Sequence, residues 1–125
     1  MKVVIADDEP LARERLRSLL AEQAGVEVVA EAESGTQVIE LLREVEIDLL
    51  LLDITMPVLD GMSALSEIRR TEAASGSAPV PAIAVTANAM PHQVADYIMG
   101  GFDTHLAKPF KRKELLHALR TLLRA

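Results

Sequence analysis

Ile47-Asp48-Leu49-Leu50-Leu51-Leu52-Asp53 is an apolar run broken only by Asp48 and stopped by a second aspartate. Such near-continuous apolarity fits a strand covered on both faces, the condition of a strand inside a parallel sheet. Met56, Pro57, Asp60 and Gly61 follow as a loop, and residues 62–71 carry a helical pattern. Working back from this run, residues 2–6 form a β-branched strand ending at Asp7. Pro10 stands where a helix can start, because its missing N–H is no loss there. Leu11, Ala12, Leu16, Leu19, Leu20 and Gln23 then keep helical spacing up to Gly25, the expected stop. Residues 26–30 read as a second strand, and Ser34 as the N-cap of a helix containing Val38, Ile39, Leu41 and Leu42.

Working forward, residues 73–81 are rich in Ser, Gly and Pro and read as a connection within the domain, since the alternation resumes at once. Residues 82–85 are a fourth strand ending at Thr86. A helix over 91–99 is closed by Gly100 and Gly101, and residues 104–107 are a short fifth strand before Lys108-Pro109. Residues 111–123 form a last amphipathic helix with Leu115, Leu116, Leu119, Leu122 and Leu123 along one side. Five such units predict an α/β, doubly wound, five-stranded parallel sheet flanked by five helices. It is of the flavodoxin-like kind with strand order 2-1-3-4-5, right-handed crossovers, and ligands beyond the carboxyl ends of the strands.

The bulk numbers narrow the function. The chain has 125 residues, room for one domain over 1–125, with no output domain visible. It has no cysteine, so neither a disulfide framework nor a thiolate zinc site is available. Its first apolar run is too short for a signal peptide or a membrane span, and a cytoplasmic place is expected. A formal charge of -6 argues against direct nucleic-acid binding, and one Tyr with two Phe builds no stacking platform.

The polar residues that interrupt the pattern fall at strand ends: Asp7 and Asp8, Asp53, Thr86 and Lys108. In a parallel sheet they meet on one edge, a clustering that no periodicity requires. Three carboxylates held together repel and need a cation, and hard oxygen ligands suit Mg²⁺. A carboxylate can attack phosphorus to give an acyl phosphate. Mg²⁺, the Lys108 ammonium, and the Thr86 hydroxyl with nearby backbone N–H groups can then each meet one phosphoryl oxygen.

Ala6-Asp7-Asp8-Glu9-Pro10, Leu51-Leu52-Asp53-Ile54-Thr55-Met56-Pro57 with Asp60-Gly61, Val85-Thr86-Ala87 and Lys108-Pro109-Phe110 occur in that order. Together they resemble a response-regulator receiver domain, chemotaxis-regulator-like, of two-component signal transduction. The resemblance implies that Asp53 is the phosphoacceptor. Asp8 is a direct Mg²⁺ ligand, Asp7 a mostly water-mediated one, and the Thr55 backbone carbonyl completes the protein's share of the metal shell. Thr86 is the switch hydroxyl, with Ala87 beside it at the phosphate, and Lys108 is the phosphate-binding cation. The Lys108-Pro109 bond is commonly cis in such domains, making Pro109 a cis-peptide candidate. The resemblance further implies a histidine kinase or histidine phosphotransfer protein as donor, and an output domain or downstream protein met by the face of the fourth helix, fifth strand and fifth helix. That face also supports homodimers in the family. Such a domain catalyses its own phosphorylation and dephosphorylation but is a signalling domain, not an enzyme with a turned-over substrate.

The chain departs from the family at the switch aromatic, where His105 stands. His is smaller and titrates near neutrality, so a weaker or pH-dependent readout is expected there. Thr55 and Asn88 occupy positions that tune the acyl phosphate's hydrolysis. His92 and His117 have no metal-ligand spacing. Lys111, Arg112, Lys113, Arg120 and Arg124 read as the solvated face of the last helix, while Met90, Ile98 and Met99 are either a docking strip or core.

Three competing functions are weaker. A haloacid-dehalogenase-like phosphatase shares the Asp nucleophile and Mg²⁺ but resembles a pattern with a second Asp two residues on, where this chain has Thr55. A flavodoxin-like cofactor binder needs a phosphate-cradling loop where this chain has Asp7-Asp8-Glu9-Pro10. A pseudo-receiver that only binds partners has no missing site residue to support it.

Overall fold

The computed structural model describes residues 1–56, 59–87 and 90–122. Pro57, Asn88, Leu123 and Arg124, singled out above, lie outside the described residues. Ten elements alternate: β1 (Lys2–Ala6), α1 (Pro10–Ala21), β2 (Glu27–Ala32), α2 (Gly35–Glu44), β3 (Leu49–Asp53), α3 (Gly61–Ser75), β4 (Ala82–Thr86), α4 (Pro91–Met99), β5 (Thr104–Ala107) and α5 (Arg112–Leu122). The strands pair in parallel in the order β2-β1-β3-β4-β5, which is the expected sheet.

The apolar runs explain the layering. Successive side chains of a strand point to opposite faces. Val3, Ile5, Leu49, Leu51, Ile83 and Val85 pack with Leu16 and Leu20 of α1 and with Leu115, Ala118 and Leu119 of α5. Val4, Ala6, Leu50, Leu52, Ala82 and Ala84 face the other way, onto Val38 of α2, Ala64, Leu65 and Ile68 of α3, and Tyr97 of α4. Every residue of β3 and β4 is buried, so the Leu49–Leu52 run is apolar because neither face meets water.

Several boundaries differ from the sequence reading, each for a local reason. α1 ends at Ala21, before Gln23 and Gly25, because the Glu22 and Gln23 N–H groups turn back to the carbonyls of Leu19 and Leu20, tightening the last turn. Gly25 has φ 80 and serves the turn into β2 instead. Leu11 is 78% exposed rather than core. β2 starts later and runs to Ala32, whose carbonyl accepts from the Asp7 N–H. β3 starts at Leu49; Asp48 sits before it, where its carboxylate accepts from the Lys2 N–H at 2.7 Å.

α3 runs on to Ser75, into the stretch read as a connection. Glu72, Ala73 and Ala74 suit a helix, and a clamp holds its end: Arg69 donates to the Val80 and Gly101 carbonyls, and Glu72 accepts from the Val80 N–H. Ser34 is the N-cap of α2, accepting from the Gln37 N–H, and Asp60 does the same for Ser63 at the head of α3. Gly61 sets the site directly. A Cβ there would lie 2.4 Å from the Asp53 carbonyl oxygen, so only glycine lets α3 begin against the end of β3. No helix among the described residues is long and apolar enough to cross a membrane.

Candidate functional site

Strand register assembles the site. Ala6 lies beside Leu52, so Asp7 falls next to Asp53 at the ends of β1 and β3. Asp53 lies beside Val85, which puts Thr86 one step further along β4, and Thr86 lies beside Ala107, just before Lys108. One shared edge therefore gathers residues spread over 101 positions of sequence, as the hydrogen bond from Lys108 Nζ to Asp7 Oδ2 at 2.9 Å attests.

Asp7 is fully buried and Asp53 is 4% exposed, whereas Asp8 and Thr55 are exposed. Asp7 Oδ1 accepts from the Glu9 N–H at 2.9 Å, and its backbone carbonyl accepts from Arg13. Asp53 Oδ1 accepts from the Thr55 N–H at 3.4 Å. Lys108 also lies 3.6 Å from Glu9 and 3.7 Å from Asp53. Thr86 is buried, and its hydroxyl lies 3.1 Å from the Tyr97 hydroxyl. Ala87 is exposed beside it. The Lys108–Pro109 peptide is cis. His105 is half-buried on β5, opposite Ala84.

The electrostatics follow from this crowding. Burial pushes Asp53 up to about 6, the Asp7 carboxylate adds to the rise, and the Lys108 ammonium pulls against it. Burial works against the charged form of Lys108, but the Asp7 hydrogen bond and the charges of Asp53, Asp7 and Glu9 outweigh it, so its pKa is raised. The cluster thus carries more negative charge than one lysine relieves. One carboxylate oxygen each from Asp7, Asp8 and Asp53 lie within 4.8 Å of one another. An all-oxygen set of this kind, with Asp8 open to water, fits a hard divalent cation that keeps part of its hydration, as Mg²⁺ does.

The response-regulator receiver domain model matches residues 3–120. The chain belongs to that family. It is 36% identical over 124 residues to the chemotaxis protein CheY of Bacillus subtilis, covering 98% of this chain and 97% of that one. It is 35% identical over 114 residues to the sensor protein GacS of Pseudomonas syringae, covering 91% of this chain but 12% of that longer protein. Among solved structures, the receiver domain of sensor histidine kinase PA1611 from Pseudomonas aeruginosa superposes with a TM-score of 0.82 at 31% identity, over 99% of this chain and 98% of that one; it holds a magnesium ion in its active-site cleft. The chain is thus a receiver domain of two-component signalling, a module found both alone and within histidine kinases.

The edge brings together Asp7, Asp8, Asp53, Thr86 and Lys108, all expected there from the sequence. Two features were not anticipated. Arg13, one turn into α1, secures the Asp7 backbone while its side chain lies 3.3 Å from Glu31; an Arg on an apparently solvated helix face gave no signal of this. Tyr97 meets Thr86 from α4, and the only hint in the sequence was a lone polar-tipped aromatic within the helical stretch.

Proposed function

We propose that this receiver takes a phosphoryl group onto an Asp53 carboxylate oxygen from a phosphohistidine on a histidine kinase or histidine phosphotransfer protein. A new O–P bond forms on Asp53 as the N–P bond of the donor breaks. Asp7, Asp8, Asp53 and the Thr55 backbone carbonyl are the residues that would hold Mg²⁺. A Mg²⁺ held there neutralises negative charge on the transferring group. Lys108 turns from Asp7 toward one phosphoryl oxygen, and the Thr86 hydroxyl with the Ala87 N–H meets another. The observation that carries this reading is Lys108 bridging Asp7 at 2.9 Å and Asp53 at 3.7 Å. A cation is already drawn to the point between the two buried carboxylates.

Phosphorylated Asp53 gains roughly one to two units of negative charge at neutral pH, which biases Thr86 toward the phosphoryl group. The face of α4, β5 and α5 then changes and binds an output domain or downstream protein, or a second copy of the chain; His105 lies on it. The domain meets neither nucleic acid nor membrane directly and works in the cytoplasm. A groove of about 450 Å³ lined by Ala12, Leu16, Pro109 and Phe110 adjoins Lys108, and it suits the apolar rim of a donor.

Intact-mass spectrometry after incubation with acetyl phosphate tests the chemistry. One phosphoryl adduct that needs both Mg²⁺ and Asp53, and is missing in Asp53→Ala, is expected. A folded protein that forms neither this adduct nor a beryllofluoride complex would overturn the reading in favour of a partner-binding pseudo-receiver.

A further inference from the structure

The turn that carries Asp7 and Asp8 from β1 into α1 is tied down around Asp7. The Asp7 N–H donates to the Ala32 carbonyl at the end of β2, 3.0 Å away. The Asp7 carboxylate accepts from the Glu9 N–H at 2.9 Å. The Asp7 carbonyl accepts from Arg13 Nη1 at 2.6 Å, so this last tie comes from a side chain one turn into α1. Asp8 itself is exposed, and its carboxylate has no hydrogen bond or ion pair among the described residues. Its direction is therefore set by its backbone. The Asp7 carbonyl and the Asp8 N–H belong to one planar peptide, which also contains the Asp8 Cα. A donor fixed on that carbonyl fixes the plane, and with it the point from which the Asp8 side chain leaves the chain.

Arg13 is a stiff donor. Its side chain is only 14% exposed, and carboxylates at the end of β2 hold the rest of the guanidinium: Nε lies 3.3 Å from Glu31 and Nη2 3.5 Å from Glu33. A planar fork can serve the carbonyl and both carboxylates at once, which the compact ammonium of a lysine cannot. We propose that Arg13 is a positioning residue for the metal: it orients the Asp7–Asp8 peptide so that the Asp8 carboxylate joins those of Asp7 and Asp53, and Mg²⁺ affinity depends on it. The inference rests on the Mg²⁺ reading of the acidic edge. Two effects of the guanidinium oppose each other. As a cation near the edge it repels Mg²⁺, and as a donor it pre-forms the ligand set. Glu31 and Glu33 offset its charge, so the second effect is the larger. The sign of the change on removing Arg13 separates the two.

The test is a titration of the whole chain with Mg²⁺ alone, followed by backbone amide shifts, on wild type, Arg13→Gln and Arg13→Lys. Arg13→Gln should bind Mg²⁺ about tenfold more weakly, the low end of what an outer partner of a metal ligand contributes. Arg13→Lys keeps the charge but not the fork, so it should stay about three- to tenfold weaker than wild type. In the metal-free protein both variants should shift the Asp8 amide nitrogen, whose peptide loses its hydrogen bond, and leave the amides of Leu49–Leu52 in place. Wild-type or tighter binding in Arg13→Gln, or full recovery in Arg13→Lys, would overturn the proposal and leave the metal site standing. Weaker binding that comes with shifts throughout Leu49–Leu52 would mean a general loosening and would overturn it too. Should Arg13→Gln not fold, Arg13→Lys decides alone, and wild-type affinity there defeats the proposal. No saturable Mg²⁺ shift at Asp7, Asp8 and Asp53 in the wild type would sink the metal reading with it.

Discussion

Helices α1 and α4 both start with proline and both lead away from the acidic edge, yet they are fastened differently. α1 drives Leu16 and Leu20 fully into the core and adds ion pairs from Arg13 and Arg17 to Glu31 on β2. α4 buries Tyr97 and leaves Ile98 and Met99 in solvent. The first arrangement fixes the geometry of Asp7 and Asp8, which a metal site needs. The second leaves a helix whose seat a few hydrogen bonds can change, which a switch needs. One fold thus keeps one side of its acidic edge rigid and the other adjustable.

The sharpest break of that comparison is Leu16→Ala. The leucine is 1% exposed, and truncating such a side chain costs about 2–5 kcal/mol. Urea unfolding followed by circular dichroism should show the midpoint fall by that equivalent with little change in slope. A loss under about 1 kcal/mol would mean that α1 is not the fixed partner described above.

Next in size is the charge stored at the edge itself. Burial and the Asp7 carboxylate push Asp53 up to about 6 in the folded chain, from an ordinary 3.8. Between those values the folded protein holds a proton that the unfolded chain has lost, so stability falls as pH rises through the window. The deficit is complete above about pH 6 and amounts to at most about 3 kcal/mol. With chelator present, Asp53→Asn should therefore be more stable than wild type at pH 7.5 by about 1–3 kcal/mol and equal to it near pH 4. Mg²⁺ should raise the wild-type melting temperature and shrink the gap, because it binds only the folded carboxylate cluster. Thermal melts at the two pH values, with and without Mg²⁺, measure all of this. An Asp53→Asn protein no more stable than wild type at pH 7.5 would mean that the edge stores no such strain.

The fold was legible in the sequence because the apolar runs are so complete. Leu49–Leu52 and Ala82–Val85 admit no solvent-facing residue, which leaves a two-sided parallel sheet as the way to cover them. The site was legible for a related reason: Asp53 and Thr86 are the first polar residues after fully apolar runs, so their positions needed a cause outside packing, and Lys108 falls at the matching end of β5. What was not legible depends on tertiary contacts. The end of α3 at Ser75 is held by Arg69 and Glu72 reaching Val80, and no local pattern encodes that clamp. Likewise His105 drew attention because it replaces an expected aromatic, while the aromatic that does meet Thr86 comes from a different element.

The smallest effect tests the loose side. Met99 is 86% exposed, so Met99→Ser removes almost no buried area and should change stability by no more than about 0.5 kcal/mol. Met90, Ile98 and Met99 then stand as exposed apolar side chains on or beside a weakly seated helix, and methionine suits a surface that must adapt to what covers it. The same urea experiment used for Leu16→Ala decides the point. A loss above about 1 kcal/mol would mean that Met99 packs in solution. In that case α4 has a second anchor, and the contrast with α1 narrows to the depth of burial rather than to a difference in kind.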